Sequence, residues 1–398
     1  MSSARGDSGV DDESTRLRLL QLSTLTSTCD RFALAPLLIV IGLDLGAPLV
    51  TVATMAGAYF LAYGLMQPVW GLLSDQIGRV RVMRIAVAGA ALCGLVTVLA
   101  PNLGVLAVSR VLAGSFVAAL IPTCLVYVGD TWPAAVRQRP MSDVLAASAL
   151  GTAAAAIGAG LLADLVSWRA VFAVTGAAAA GLWFALRRLP EPTRTTTADR
   201  HPLRPIGRVL ASRWAWMVLA LGLVEGAVVL GALTFLAPAL QAQGWSAGVA
   251  GTVSAGFGVG AMLTSRIVRR LVGRLTTGRL AAIGGSFLAL AWIPPVVHIN
   301  LVTVLASGLL LGVAWAFLHT TLQTWATEVV PQARAASVAL FAALLFVGSS
   351  VGTTLAAPLA DAGAYRTVFL VALTVSVPLA VVAVTARTRY AHRGPATA

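Results

Sequence analysis

The sequence predicts an all-α polytopic membrane protein: twelve transmembrane helices in two six-helix bundles related by a parallel repeat. Three observations carry this expectation. Charged residues make up 11% of the chain and the hydrophobic set 58%, where a water-facing surface needs roughly 25% charged. Twelve apolar stretches fall near 19–43, 50–73, 82–100, 104–128, 144–163, 168–186, 214–238, 247–265, 280–298, 301–324, 336–357 and 367–386, each long enough to cross about 30 Å of hydrocarbon as a helix. Finally, LADLVSWRAVF at 162–172 returns as LADAGAYRTVF at 359–369, with six of eleven residues agreeing at an offset of 197.

Backbone groups in lipid must be satisfied within the protein, so spans are helices or closed-barrel strands. Barrel strands alternate apolar and polar residues over about ten positions, and these stretches do not. The opening MSSARGDSGVDDESTRLR is polar and has no apolar run, so it is expected to be a tail rather than a cleavable signal peptide. Every basic residue is arginine, and 24 of the 28 lie in the tails and in the connections 79–84, 137–139, 187–213, 266–279 and 334. The opposite connections hold Arg169 and Arg366. Basic loops stay in the cytoplasm, so both termini are expected on the cytoplasmic side of the cell membrane. The net charge of +13 is then a matter of orientation, and no nucleic-acid partner is expected. Trp132, Trp168, Trp214, Trp245 and Trp325 sit near proposed span ends, where interfacial anchors concentrate. The expected organisation is a tail at 1–18, a bundle at 19–186, a linker at 187–213, a bundle at 214–386 and a tail at 387–398. Cys29, Cys93 and Cys124 lie in apolar stretches without metal or disulfide spacing.

Taken in order, each element has its reason. Helix one holds Asp30 and Arg31 about twelve residues in, hence about 18 Å deep. Helix two carries Gly57 and Gly64, which helix eight repeats as Gly251 and Gly258 at an offset of 194. Helix two runs into the loop GLLSDQIGRVR at 71–81, after which helix three crosses back. Helix four carries Arg110 in its outer half and Gly114 four residues on, then ends at GDTWP, 129–133. That loop returns in outline as TEVVP at 327–331, after helix ten. Helix five contains GTAAAAIGAG at 151–160, and its Gly151 corresponds to Gly348 of helix eleven. Helix six closes the first bundle, and the polar stretch 187–208 leads to helix seven, where Glu225 stands 195 residues after Asp30. Helix ten supplies Trp315, Phe317 and His319, and helices eleven and twelve complete the count. Matches in one direction at nearly constant spacing mean duplication, and parallel repeats place a substrate site between the halves near the midplane.

The loop 71–81 resembles the signature of the major facilitator superfamily, G-x-L-x-D-x-x-G-R, at Gly71, Leu73, Asp75, Gly78 and Arg79. Val80 departs from the basic residue usual there, and Arg81 keeps a positive charge nearby. Arg110 and Gly114 match a second signature in helix four, with Ala113 at its glutamine position. The resemblance implies a secondary transporter and a latch in which Asp75 faces helix eleven of the other half while Arg79 and Asp130 complete a charge cluster. On residue chemistry alone, Gly71 allows close packing, Gly78 a tight turn, and Asp75 an approach to a helix N-terminus. Many drug antiporters of the family carry G-x-x-x-G-P-x-x-G-G in helix five. Here Ala155-Ala156 replaces Gly-Pro, which removes the proline kink.

Intramembrane charges are costly and mark function. Asp30, Arg110 and Glu225 are therefore the expected proton-coupling or substrate residues. Burial disfavours the charged form of an acid while a nearby guanidinium favours it, and an acid held between the two can load and release protons. The resemblance pairs Asp30 with Arg110. Glu225 serves either a second proton step or a cationic substrate, Arg31 packing alone, and His319 either a relay or an interface hydrogen bond. Phe32, Gly114, Trp315, Phe317 and His319 are candidate cavity-lining residues. With sparse polar lining and no nucleotide-binding loop, the expected function is proton-coupled export of amphiphilic or drug-like molecules by alternating access. The alternative is proton-coupled import of a small metabolite. No catalytic constellation, cofactor or metal set is present in the sequence. The expected partners are a small-molecule substrate, protons and the lipid bilayer, with the chain acting as a monomer.

Overall fold

The computed structural model of the chain describes residues 7–192 and 204–393. The six N-terminal residues, 193–203 of the expected linker and 394–398 of the expected tail lie outside the described residues. Within them the chain is helical throughout its length, and eleven helices are long and apolar enough to cross a membrane. These are α2 (Leu49–Ile77), α3 (Arg79–Val98), α4 (Leu103–Thr131), α5 (Gln138–Leu165), α6 (Trp168–Arg188), α7 (Arg213–Gln241), α8 (Ala247–Leu271), α9 (Thr277–Val297), α10 (Leu301–Glu328), α11 (Pro331–Asp361) and α12 (Tyr365–Ala391). The first span, α1, differs from the continuous helix expected at 19–43. It runs Asp7–Phe32, breaks, makes a tight turn at Ala35–Leu37 and resumes as Leu38–Leu45. Pro36 is the cause, because proline removes a backbone donor and clashes with the preceding turn. The Pro36 carbonyl, within the break, accepts a hydrogen bond from Gln241 Nε2 of α7 at 2.9 Å.

The repeat is visible in the packing. Within the first half α1 packs on α5 and α3 on α6, and within the second α7 packs on α11 and α9 on α12. Gly151 lets α5 approach the α1 backbone, where an added Cβ would stand 3.1 Å from the Leu25 carbonyl. Its counterpart Gly348 sits closer still, with the Leu223 carbonyl of α7 at 1.8 Å from such a Cβ. Between the halves, α2 packs on α11 and α5 on α8. The repeated glycines belong to those two contacts. Gly57 and Gly64 face Ser350 and Ala343 of α11, and Gly251 and Gly258 face Ala156 and Ala153 of α5. Small residues substitute here for a hydrophobic driving force that lipid does not supply.

The halves are also tied at the end away from the linker. The Gly248 amide at the start of α8 donates to Asp164 Oδ2 of α5 at 2.8 Å, and the Val50 amide at the start of α2 donates to Asp361 Oδ1 of α11 at 3.2 Å. The two acids are the repeated Asp of the opening eleven-residue match, 197 positions apart. Each places a carboxylate on a helix N-terminus of the other half, where unpaired amides and the helix dipole favour an anion.

Two expectations change in the packing. Gly71 has no atom within 4 Å of a would-be Cβ, so it makes no close helix contact in this state. Three of the five tryptophans expected as interfacial anchors are buried inside the bundle: Trp132, Trp168 and Trp325. Trp168 donates to Asp44 Oδ2 at 3.0 Å, and Trp325 lies under the Arg387 guanidinium at 5.5 Å. Trp214 is half-buried, and Trp245, 43% exposed, fits the expected role.

Candidate functional site

The embedded charges gather into two pairs, one in each half. Arg110 of α4 reaches Asp30 of α1 with both terminal nitrogens, each 3.1 Å from Oδ1. Tyr59 of α2 donates its hydroxyl to Asp30 Oδ2 at 2.9 Å. Asp30 and Arg110 are 8% and 1% exposed, so this is a desolvated, bidentate pair, the arrangement in which guanidinium and carboxylate bind most strongly. The Arg110 guanidinium also lies over Phe172 at 4.4 Å. Gly114, expected to line a cavity, instead lets α4 meet α2 at Tyr59, whose carbonyl would stand 2.8 Å from a Cβ. It thereby allows the approach that puts the tyrosine on Asp30.

The second pair escaped the sequence. Glu225 of α7, wholly buried, lies 3.1 Å from His319 Nδ1 of α10. Its other oxygen, Oε1, is buried without a partner. Both residues border π-helical turns, Ala227–Gly231 in α7 and Trp315–His319 in α10. Such turns insert one extra residue and are frequent at functional sites. His319 is therefore mid-helix rather than at a helix end. Its ring stacks on Trp315 with centroids 3.7 Å apart, which fixes the plane of the imidazole against the carboxylate. Trp315 in turn meets Phe257, and Phe257 meets Phe32 of the other half at 6.3 Å. Phe317, by contrast, turns away into a small cluster with Val268 and Leu280 and lines no space between the halves. A pocket between the halves is lined by Arg31, Phe32, Phe60, Leu230, Leu233 and Thr234, among others. Arg31, expected to serve packing alone, thus faces that pocket.

The loop cluster forms within one half. Arg79 pairs with Asp75 and, through Nε, with Asp130 at 3.0 Å. Asp75 is 58% exposed, and its ion pair among the described residues is with Arg79 of its own half. A third acid, Glu191, was not expected: its carboxylate accepts from the amides of Arg79, Val80 and Arg81 at the start of α3. Gly78 makes room for it. The backbone there has φ +109°, and a Cβ would stand 2.6 Å from the Glu191 carboxyl carbon. In the second half Glu328, the counterpart of Asp130, pairs with Arg387 of α12 at 2.7 Å.

Chemically, the site offers two buried carboxylates, each held by a basic side chain from the helix three places on in its own half. Between them lies an apolar space crossed by aromatic rings. Among the described residues no group of His, Cys, Asp and Glu could hold a metal ion.

Comparison with known proteins gives consistent results. The profile of the Major Facilitator Superfamily matches residues 20–349. A triacylglyceride transporter of Mycolicibacterium hassiacum is 33% identical over 166 residues, 42% of this chain and 30% of that one. The puromycin resistance protein pur8 of Streptomyces alboniger is 31% identical over 147 residues, 37% of this chain and 29% of that one. The chain thus spans about a third of the length of the curated relatives it matches. Among solved structures, a bacterial homolog of the human lysosomal transporter Spinster, inward-facing and occupied, superposes with a TM-score of 0.77. It covers 96% of this chain and 98% of its own at 17% identity, a likeness of fold.

Proposed function

From the premise that this chain belongs to the major facilitator superfamily, we propose that it exports amphiphilic or drug-like small molecules across the cell membrane in exchange for protons. The observation that carries the reading is the buried Asp30–Arg110 pair at 3.1 Å. Neutralising Asp30 leaves the Arg110 charge without its counter-ion in a low-dielectric site, a cost of several kcal/mol. Protonation therefore favours whichever arrangement of the halves gives Arg110 another partner or water. The proton and the conformation are linked through one guanidinium. Glu225 and His319 provide a second titratable site in the other half. With the arginine-rich end in the cytoplasm, both termini are cytoplasmic, and the outer end is the one closed by Asp164 and Asp361. Export is supported by the apolar pocket, by the sparse polar lining, and by a likeness to a drug-resistance protein and a lipid transporter.

The test is transport in sealed vesicles under an imposed pH gradient against a panel of amphiphiles. Wild-type protein accumulates at least one of them uphill, and Asp30→Asn loses uphill transport while retaining passive exchange. Uphill transport by Asp30→Asn would move the proton site elsewhere, with Glu225 and His319 next in line.

A further inference from the structure

Among the described residues, Arg31 is the buried charge near mid-membrane that this scheme leaves unused. The residue is 9% exposed. Its Nη1 donates to Tyr63 Oη at 3.0 Å, its Nε is buried without a partner, and no carboxylate among the described residues pairs with it. Asp30, its chain neighbour, is already held by Arg110 and Tyr59. Three rings surround the guanidinium instead, those of Phe32, Tyr63 and Phe346, at 4.8, 5.0 and 5.1 Å. Cation–π contacts offset only part of what it costs to withdraw an unpaired ion from water. The side chain also lines the pocket between the halves, whose remaining walls are apolar except for Thr234. That hydroxyl is occupied by the Leu230 carbonyl at 3.0 Å.

We propose that Arg31 binds the oxyanion head of an amphiphilic substrate, a carboxylate or a phosphate, whose apolar body lies along the apolar walls of this pocket as the halves part and widen it. The planar guanidinium fork matches either head in two-point contact, and an apolar pocket with one convergent charge has the form of an orienting site. The anion supplies the counter-charge that the fold withholds. An ammonium head is disfavoured by the same arginine, and no acid stands among the residues that line the pocket. The proposal rests on the amphiphile reading above for its apolar half and on Arg31 for its charged half.

The experiment separates the two. Purified protein in nanodiscs is titrated with dodecanoate, dodecyl phosphate and the neutral dodecanamide, and with inorganic phosphate and acetate, below micellar concentration. Binding is read by tryptophan fluorescence. The variants Arg31→Gln and Arg31→Met are both used, so that the comparison survives if one misfolds. The wild type binds the two anionic amphiphiles at least about tenfold tighter than the amide, the equivalent of one charge-assisted hydrogen bond, and either variant brings the ratio close to one. The ratio of carboxylate to phosphate affinity identifies the head. Equal affinity for anionic and neutral amphiphiles in the wild type, or a preference that persists in the variants, overturns the proposal and leaves amphiphile export standing. Arg31-dependent binding of tail-free anions with no amphiphile binding overturns the amphiphilic substrate and keeps Arg31 as an anion site. Absence of binding by every probe overturns both.

Discussion

His319 Nδ1 stands 3.1 Å from the Glu225 carboxylate, on the helix pair that corresponds to the one holding Asp30 and Arg110. The two pairs are chemically unlike. A guanidinium only donates, whereas an imidazole can both give up and take a proton. A proton entering the second pair has two places to go and need not break it. A proton entering the first must compete with Arg110. The duplication has thus left one pair suited to holding a charge and another suited to passing it.

Glu225→Gln and His319→Gln should each change the pH profile of transport, and together they should be less than additive. The expected coupling in a double-mutant cycle is about 0.5–3 kcal/mol, measured from the pH dependence of transport rate. Strict additivity would make the contact a bystander.

The closed end offers a cleaner measurement. Each carboxylate on a helix N-terminus contributes about 0.3–1 kcal/mol, so Asp164→Asn with Asp361→Asn shifts the population open at that end by about threefold to thirtyfold. Thiol labelling of cysteines introduced between α2 and α11 near that end reads the shift. An unchanged labelling rate in the double variant would show that glycine-mediated packing alone holds the halves.

Glycine substitutions should divide sharply. Gly226→Ala places a Cβ 1.8 Å from the Leu345 carbonyl, and overpacking of this kind costs at least about 1–3 kcal/mol, so expression and melting temperature should fall. Gly71→Ala meets open space and gains about 1 kcal/mol of helix propensity, so the protein should fold well. If α2 closes on a neighbour at that point during the cycle, Gly71→Ala will slow transport without loss of protein. Full turnover would end that reading of the position.

Asp75→Asn and Arg79→Ala should reduce transport while leaving expression largely intact, because the Asp75 carboxylate is 58% exposed and a pair with one partner in water contributes about 1 kcal/mol to stability. Glu191→Gln should behave differently and lower stability, since its carboxylate caps the start of α3 through three amides. Transport assays alongside thermal melts in detergent distinguish the two patterns.

Much of the molecule was legible in the residues because duplication writes itself twice. Gly57, Gly64, Gly251 and Gly258 announce the helices that meet across the halves, and the family resemblance named the pairing of Asp30 with Arg110. The break in α1 was equally readable: Pro36 lies inside the apolar run and should have ended the helix before it. Glu225 with His319 was not, for two reasons. The residues are 94 positions apart, and the second half has no arginine at the place matching Arg110, where Ser307 and Gly308 stand. The repeat therefore pointed to no partner. A π-helical turn then shifts the side chains of α10 by one position relative to plain helical spacing, which periodicity cannot register. Glu191 capped α3 unseen because its partners are backbone amides, which carry no signature in a sequence.

That last point bears on how the closed end can change over evolutionary time. Asp164 and Asp361 are each half of a contact whose other half is an amide supplied by whatever residue occupies the position. At Val50 any amino acid except proline would supply it, so mutation can reach that tie only through its acid. Gly248 is different: a Cβ there would stand 2.6 Å from Asp164 Oδ2, so most substitutions push the acid away. Two ties descended from one ancestral contact thus differ in mutational tolerance, one open to drift on its donor side and the other fixed on both.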